Sequence, residues 1–150
     1  MSLLGEPADS EERAFMPDGL GLARSSDRGV LLIDDDLGLA HSFTQVLDVH
    51  GIPIAVARDE YEALAAFRWS APAVVLTDIV VPERRHTVIA MRRARPNLKL
   101  VAMSGGRVAK LDFLTIAKKS SADAIVYTPF AAAELIKLLR TFVHHCRRVS

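Results

Sequence analysis

The stretch VLLIDDD, residues 30–36, runs four aliphatic residues directly into three aspartates. A short apolar run of this length is typical of a buried strand. Neighbouring carboxylates repel one another and usually need a counter-charge, a metal or open water. We therefore predict a strand over 30–33 that leaves the core at its carboxyl end and delivers acidic side chains to a candidate site there.

The composition is that of an ordinary globular protein. Of 150 residues, 50% are hydrophobic and 25% are charged, and the net charge is +1. These values suit one domain with its own core and give no indication of nucleic-acid binding. The single cysteine, Cys146, excludes an internal disulfide and fits a reducing compartment. With no signal pattern and no apolar run near the ~20 residues of a membrane span, we expect a cytoplasmic domain without membrane contact.

The first 28 residues differ from the rest of the chain. They mix glycine, proline, serine and charged residues without sustained periodicity, which is typical of a segment that lacks a packed core. We predict a flexible N-terminal arm over residues 1–28, followed by one domain over 29–147.

From Val30 onward, short apolar runs alternate with stretches of helical periodicity. The predicted strands are 30–33, 52–57, 73–77, 98–103 and 124–127. The helical stretches run from Leu39 to Leu47, from Tyr61 to Trp69, and over 85–95, 110–121 and 131–146. Strands alternating with helices predict an α/β fold whose doubly wound parallel sheet is covered by helices on both faces.

Two residues near the first helix have local roles in this prediction. Asp36 stands just before LGLAHSF, so we expect it to cap that helix rather than to join the site. Gly51 follows the same helix and is expected to end it.

The ends of the predicted strands carry polar residues. In a doubly wound sheet, ligands bind at the carboxyl ends of the strands. The residues at those ends are Asp34 and Asp35 after the first strand, Asp78 after the third, Ser104 after the fourth, and Thr128 with Pro129 after the fifth. Carboxylates and backbone carbonyls are hard oxygen donors, so the set predicts a Mg²⁺ site.

In order and spacing these residues resemble the response-regulator receiver family of two-component signalling. The resemblance covers about residues 29–146: an acidic pair, an aspartate after strand three, a hydroxyl with a small residue after strand four, and X-Pro-Phe after strand five. It implies a flavodoxin-like fold with the strand order 2-1-3-4-5. It also implies that Pro129 follows a cis peptide bond.

The resemblance further implies a role for each site residue. Asp78 matches the phospho-acceptor, which takes its phosphoryl group from a histidine kinase or phosphotransfer protein. Asp34 and Asp35 match the pair that binds Mg²⁺, together with Asp78 and the backbone carbonyl of Val80. Ser104 matches the switch hydroxyl that moves onto the phosphoryl group.

The sequence also departs from the family pattern. Thr128 stands where the family has a lysine, and threonine carries no charge to pair with the phosphoryl group. Since a hydrogen bond to a charged group contributes roughly 1.5–3 kcal/mol, we expect the stabilisation of the phosphoryl group to fall about ten- to hundredfold. The segment after Asp78 reads PERRHTV and lacks the usual PxxDG, and Ile125 takes the place of an aromatic switch residue. The candidates for a replacement cation from a nearby loop are Arg84, Arg85 and Arg107.

Two functions follow as hypotheses. The first is a single-domain receiver that accepts a phosphoryl group on Asp78 in a Mg²⁺-dependent phosphorelay and signals through a downstream protein. The second is a degenerate pseudo-receiver that binds proteins independently of phosphorylation. An enzyme is not expected, because Val80 stands where related aspartyl-phosphate enzymes have a second acid, and no dinucleotide-binding glycine motif follows strand one. We expect no direct contact with nucleic acid and leave homodimer formation open.

Overall fold

The computed structural model describes residues 29–104 and 110–149, with side chains described for 29–104 and 111–143. The predicted arm (1–28), Arg107 and the Cys146 side chain lie outside the described residues. The strands are β1 (Val30–Ile33), β2 (Ile54–Ala57), β3 (Val74–Thr77), β4 (Lys99–Ser104) and β5 (Ala124–Tyr127). The helices are α1 (Leu37–Val49), α2 (Glu60–Ser70), α3 (Pro82–Ala94), α4 (Lys110–Lys119) and α5 (Ala132–Val149).

The five strands form one parallel sheet in the order β2-β1-β3-β4-β5. This order confirms the predicted α/β fold and its strand arrangement. β1 pairs with β2 on one side and with β3 on the other, so Ile33 lies beside both Ala57 and Thr77. The chain leaves β1 and β3 toward helices on opposite faces of the sheet, and a crevice opens between the two exits, as expected at a switch point.

Each face of the sheet has its own apolar core, because alternate strand residues point to opposite faces. Leu31 and Ile33 pack on the side of α2, α3 and α4, together with Met91 and Phe113. On the other side Val30 and Leu32 pack against α1 and α5; the helix residues buried there include Phe43, Leu47, Leu135 and Leu139. Helices on both faces explain why the strands read as continuous apolar runs.

Helix α3 begins earlier than the sequence predicts, at Pro82 rather than at residue 85. Proline suits the first helical position, because its missing N–H would have no intrahelical partner there and its φ angle is already helical. Arg84 and Arg85 therefore lie on the first turn of a helix and not in a loop, which corrects the prediction. The last two helices differ from prediction by one to three residues at their ends.

The two local predictions around α1 are confirmed. Asp36 is its N-cap, and the carboxylate accepts a hydrogen bond from the Leu39 N–H at 3.1 Å. Gly51 has a φ of 71°, a left-handed conformation that glycine adopts without steric cost, and it ends the turn after the helix. Within the described part of the chain, no helix is both long enough and apolar enough to cross a lipid bilayer.

Candidate functional site

A cleft of about 480 Å³ opens at the carboxyl edge of the sheet. It lies where the chain leaves β1 and β3. The described residues that line it are Asp34, Asp35, Asp36, Leu39, Asp78, Val81, Arg84 and Thr128. Four carboxylates and one guanidinium thus meet in one pocket, although they come from separate segments of the chain, residues 34–36, 78 and 84.

Asp34 is held at the end of β1 by the sheet. Its N–H donates to the carbonyl of Ala57 at 2.9 Å, which extends the pairing with β2 by one residue. Its side chain is turned inward, and the residue is only 8% exposed. Oδ1 accepts a hydrogen bond from the Asp36 N–H at 2.7 Å. Burial raises the pKa of the Asp34 carboxyl, while this hydrogen bond and the charge of Arg84 act in the opposite direction.

Asp78 lies one residue beyond β3, in register with Asp34. The hydroxyl of the preceding residue, Thr77, donates to the carbonyl of Ile33 at 3.1 Å and ties the two strand ends together. Asp78 is 9% exposed, and its Oδ1 accepts from the Val80 N–H at 2.8 Å. Among the described residues no group hydrogen-bonds to Oδ2, so this oxygen can act on a molecule that enters the cleft.

Arg84 reaches the cleft from the first turn of α3. Its Nη2 lies 3.5 Å from Oδ1 of Asp35, and the arginine side chain is 12% exposed whereas that of Asp35 is 74% exposed. The neighbouring Arg85 points elsewhere: its Nη1 donates to the carbonyl of Ile79 at 2.8 Å and lies 3.4 Å from that of Val80. Both arginines therefore contact oxygens that surround the candidate site.

Thr128 closes the cleft on the side of β5. Its hydroxyl donates to the carbonyl of Ser104 at 2.6 Å, so the ends of β4 and β5 are joined at this point. The Thr128–Pro129 peptide bond is cis, as the resemblance implied. Phe130 then stacks on Phe43 of α1 with ring centroids 4.5 Å apart, which anchors the loop that carries Thr128.

The cleft brings together four of the predicted site residues, namely Asp34, Asp35, Asp78 and Thr128. Ser104 is half-buried at the end of β4 and is not among the described residues that line the cleft. Of the candidate cations that the structure describes, Arg84 lines the cleft and Arg85 does not; Arg107 lies outside the described residues. The proline at the start of α3 is the signal that places residue 84 on a helical turn, but the predicted helix begins at residue 85 and so leaves it out.

The donor groups are chemically suited to Mg²⁺, which prefers carboxylate and carbonyl oxygens. Their present arrangement is not that of a ready cation site: among the described residues no three acidic, histidine or cysteine side chains are grouped to hold a metal. Two members of the predicted ligand set are in contact with arginines, since Arg84 pairs with Asp35 and Arg85 lies 3.4 Å from the carbonyl of Val80. Asp34, Asp35 and Asp78 share the cleft, whereas Val80 is not among the described residues that line it.

Comparison with known proteins identifies the relatives of this chain. The family model described as "Response regulator receiver domain" matches residues 30–140. The DNA-binding response regulator MtrA of Mycobacterium tuberculosis (strain ATCC 25618 / H37Rv) is 32% identical over 114 residues, which cover 74% of this chain and 48% of MtrA. The transcriptional regulatory protein TrcR of the same strain is 34% identical over 117 residues, covering 74% of this chain and 43% of TrcR. The chain spans about half the length of the curated relatives it matches.

Solved structures show the same fold. The receiver domain protein (CheY-like) from Methanospirillum hungatei JF-1 superimposes with a TM-score of 0.70 at 22% identity, covering 82% of this chain and 98% of that one. The receiver domain of NtrX from Brucella abortus gives a TM-score of 0.67 at 24% identity, with 77% and 98% coverage. At identities below 25%, these structures show that the fold is shared and nothing more about this chain.

Proposed function

We propose a function for this chain from one premise: it belongs to the response regulator receiver domain family. A receiver is a signalling domain of a two-component system, and it interacts with histidine kinases or phosphotransfer proteins. We infer that Asp78 is the residue that accepts the phosphoryl group here. The observation that supports this most is its position, buried at the switch point with Oδ1 fixed by the Val80 N–H and Oδ2 without a partner among the described residues.

The nucleophile of the proposed phosphoryl transfer is the carboxylate of Asp78, which has to be held in position. Oδ2 of Asp78 attacks the phosphorus of a phosphohistidine, the new O–P bond forms as the P–N bond breaks, and the product is an acyl phosphate. Phosphoryl transfer depends mainly on positioning and on stabilisation of charge. The hydrogen bond to Oδ1 orients the attacking oxygen, and the Thr77 hydroxyl fixes the strand end from which it projects.

The remaining charge has to be balanced by a cation. Asp34, Asp35, Asp78 and the carbonyl of Val80 are the groups that would hold Mg²⁺, and bound Mg²⁺ would neutralise charge on the phosphoryl oxygens. Ser104 is proposed as the hydroxyl that contacts the modified aspartate. In this structure its carbonyl accepts a hydrogen bond from the Thr128 hydroxyl at 2.6 Å, and Ser104 is not among the described residues that line the cleft.

A second candidate function is a pseudo-receiver that binds partners without phosphorylation. Thr128 favours it, because the residue at the usual lysine position is neutral and its hydroxyl is already bonded to the Ser104 carbonyl. The guanidinium of Arg84, which occupies part of the acidic cleft, favours it as well. The two functions differ in whether Asp78 is ever modified.

The boundaries and partners form part of the proposal. We propose residues 29–147 as the receiver unit, with residues 1–28 as an arm, acting in the cytoplasm through protein contacts. Direct nucleic-acid binding is not part of this proposal, although MtrA is a DNA-binding regulator.

An intact-mass experiment separates the two functions. The protein is incubated with Mg²⁺ and acetyl phosphate, and we expect one added phosphoryl group that is absent from Asp78→Asn. Asp48→Asn, an exposed aspartate on α1, is the matched control and should be modified like the wild type. No adduct under conditions that modify an ordinary receiver would support the pseudo-receiver instead.

A further inference from the structure

The acidic cleft already contains a cation that belongs to the chain itself. Arg84 contributes the one guanidinium among the described residues that line the cleft, against the carboxylates of four aspartates. Its side chain is only 12% exposed, and its Nη2 lies 3.5 Å from Asp35 Oδ1. Arg84 is therefore packed into the pocket and is not a solvated surface residue that happens to lie nearby.

The location of Arg84 on its helix needs an explanation. The N-terminus of a helix carries a partial positive charge, so a cation in the first turn is unfavourable unless nearby anions compensate for it. Arg84 lies in the first turn of α3, which begins at Pro82. Asp35 and the other carboxylates of the cleft supply that compensation.

Arg85 provides a second and independent observation. It donates to the carbonyl of Ile79 at 2.8 Å and lies 3.4 Å from that of Val80. Two adjacent arginines thus contact two different groups, Asp35 and the Val80 carbonyl, that the proposed function assigns to a metal ion. A guanidinium at these oxygens repels a divalent cation and lowers the negative potential that would attract it.

We propose that Arg84 is a built-in counterion of the Asp34–Asp35 pair, with which a divalent cation competes when it binds in the cleft. The inference rests on the proposed function, because it takes from that function the residues that hold Mg²⁺. It predicts that this receiver binds Mg²⁺ more weakly than its carboxylates alone would allow. When no metal is bound, the positive charge of Arg84 offsets the repulsion between the neighbouring carboxylates.

The test is the affinity for Mg²⁺ itself, measured by isothermal titration calorimetry at constant ionic strength. Arg84→Met keeps an unbranched apolar stem and removes the charge, so we expect the dissociation constant for Mg²⁺ to fall about three- to tenfold. Arg84→Lys retains a cation and should stay close to the wild type. Arg93→Met is the matched control, because it removes an exposed arginine from the other end of the same helix and should leave the affinity unchanged.

The outcome is decisive in either direction. A dissociation constant for Arg84→Met equal to or higher than that of the wild type overturns the inference, and so does the absence of measurable binding by both proteins. If Arg84→Met does not fold, Arg84→Gln, which keeps a polar head group, is titrated in its place and judged by the same criterion.

Failure of this inference can be told apart from failure of the proposed function. If the wild type gains a phosphoryl group on Asp78 while Arg84→Met binds Mg²⁺ no more tightly, only the counterion role of Arg84 is rejected. If Arg84→Met binds Mg²⁺ more tightly but neither protein is modified by acetyl phosphate, the counterion role stands and phosphoryl acceptance is rejected.

Discussion

At the scale of single residues, Thr128 bears most on the proposed phosphoryl chemistry, because it stands at the position where the family resemblance implies a lysine. It lines the cleft, and its hydroxyl donates to the Ser104 carbonyl at 2.6 Å. A neutral residue that already has a hydrogen-bond acceptor adds no positive charge for a phosphoryl group. The observed role of Thr128 is to join the ends of β4 and β5.

Restoring the positive charge at this position should increase phosphorylation. We expect Thr128→Lys to raise the amount of adduct formed at subsaturating acetyl phosphate by up to about tenfold, since a hydrogen bond to a charged group contributes roughly 1.5–3 kcal/mol and part of this is offset by the lost contact to Ser104. Intact-mass spectrometry measures the yield. Thr128→Met has similar length without charge, and an equal increase in that variant would show that charge is not the cause.

Glu62 is a second residue of interest, because it is a buried carboxylate that pairs with Arg58. It is 9% exposed and accepts hydrogen bonds from both the backbone N–H and the guanidinium of Arg58, the latter through Nη2 at 2.7 Å. Asp59 caps the same helix, α2, by accepting from the Glu62 N–H at 2.9 Å. The Arg58 side chain, by its hydrogen bond, lowers the pKa of the Glu62 carboxyl below its ordinary value of 4.5.

This lowered pKa predicts a pH-dependent loss of stability. The stabilisation from Glu62 is complete above the ordinary carboxyl pKa of 4.5 and is lost as the pH falls through the lower pKa of the folded state. Glu62→Gln should therefore be less stable than the wild type at pH 7, and the difference should shrink as the solution is acidified. Urea unfolding at several pH values measures it, with Glu134→Gln in the first turn of α5 as control; a difference that grew toward acidic pH would contradict the assignment.

At the scale of secondary-structure elements, backbone segments approach closely at Gly29, the residue before β1. A Cβ atom added to Gly29 would lie 2.1 Å from the backbone oxygen of Pro53. The Gly29 carbonyl accepts from the Ala73 N–H at 2.8 Å, and the Val30 N–H donates to Pro53 at 2.9 Å. Three segments therefore approach one another where only glycine fits.

A pair of glycine substitutions tests this packing. Gly29→Ala should lower the free energy of unfolding by about 1–3 kcal/mol, because backbone atoms and not a flexible side chain must move. Gly38→Ala in α1 should raise it by up to about 0.5–1 kcal/mol, since that position is exposed and its nearest contact is Asp36 Oδ1 at 3.4 Å. Chemical denaturation measures both; equal effects of the two substitutions would show that the close approach at Gly29 is unimportant.

The elements also show what local sequence signals can and cannot predict. Apolar runs such as VLLI predict the strands because each is buried on both faces, and Asp36 and Gly51 mark the ends of α1 through local backbone chemistry. The first turn of α3 was missed because its residues are charged and its apolar periodicity begins later. Arg92 was also missed: it donates to the carbonyls of Leu98 and Ser121 and pairs with Asp123, contacts between distant segments that leave no periodic signal.

At the scale of the whole molecule, the order of the strands creates the site. β1 and β3 are adjacent, yet their following helices lie on opposite faces, so the loops separate and a cleft opens between them. That topology brings Asp34 and Asp78 together from positions far apart in the chain. The sequence predicted this meeting because the carboxyl ends of parallel strands share one edge.

What the sequence could not predict is which arginines contact the acidic residues and carbonyls around the cleft. The pairing of Arg84 with Asp35 and the approach of Arg85 to Val80 depend on the rotation of α3, which follows from the packing of Val88 and Met91 into the core. Residue order alone places several arginines near the site and does not choose among them. The function of the cleft therefore depends on how this arginine and a metal ion share the same oxygens.

The most direct measurement of the central claim is the location of the phosphoryl group. The protein is treated with Mg²⁺ and acetyl phosphate, then reduced with borohydride, which converts an aspartyl phosphate to homoserine, and its peptides are sequenced by mass spectrometry. The account predicts homoserine at residue 78 and at no other position. Homoserine at residue 34 or 35, or unmodified aspartate at 78 after a treatment that modifies an ordinary receiver, would contradict it.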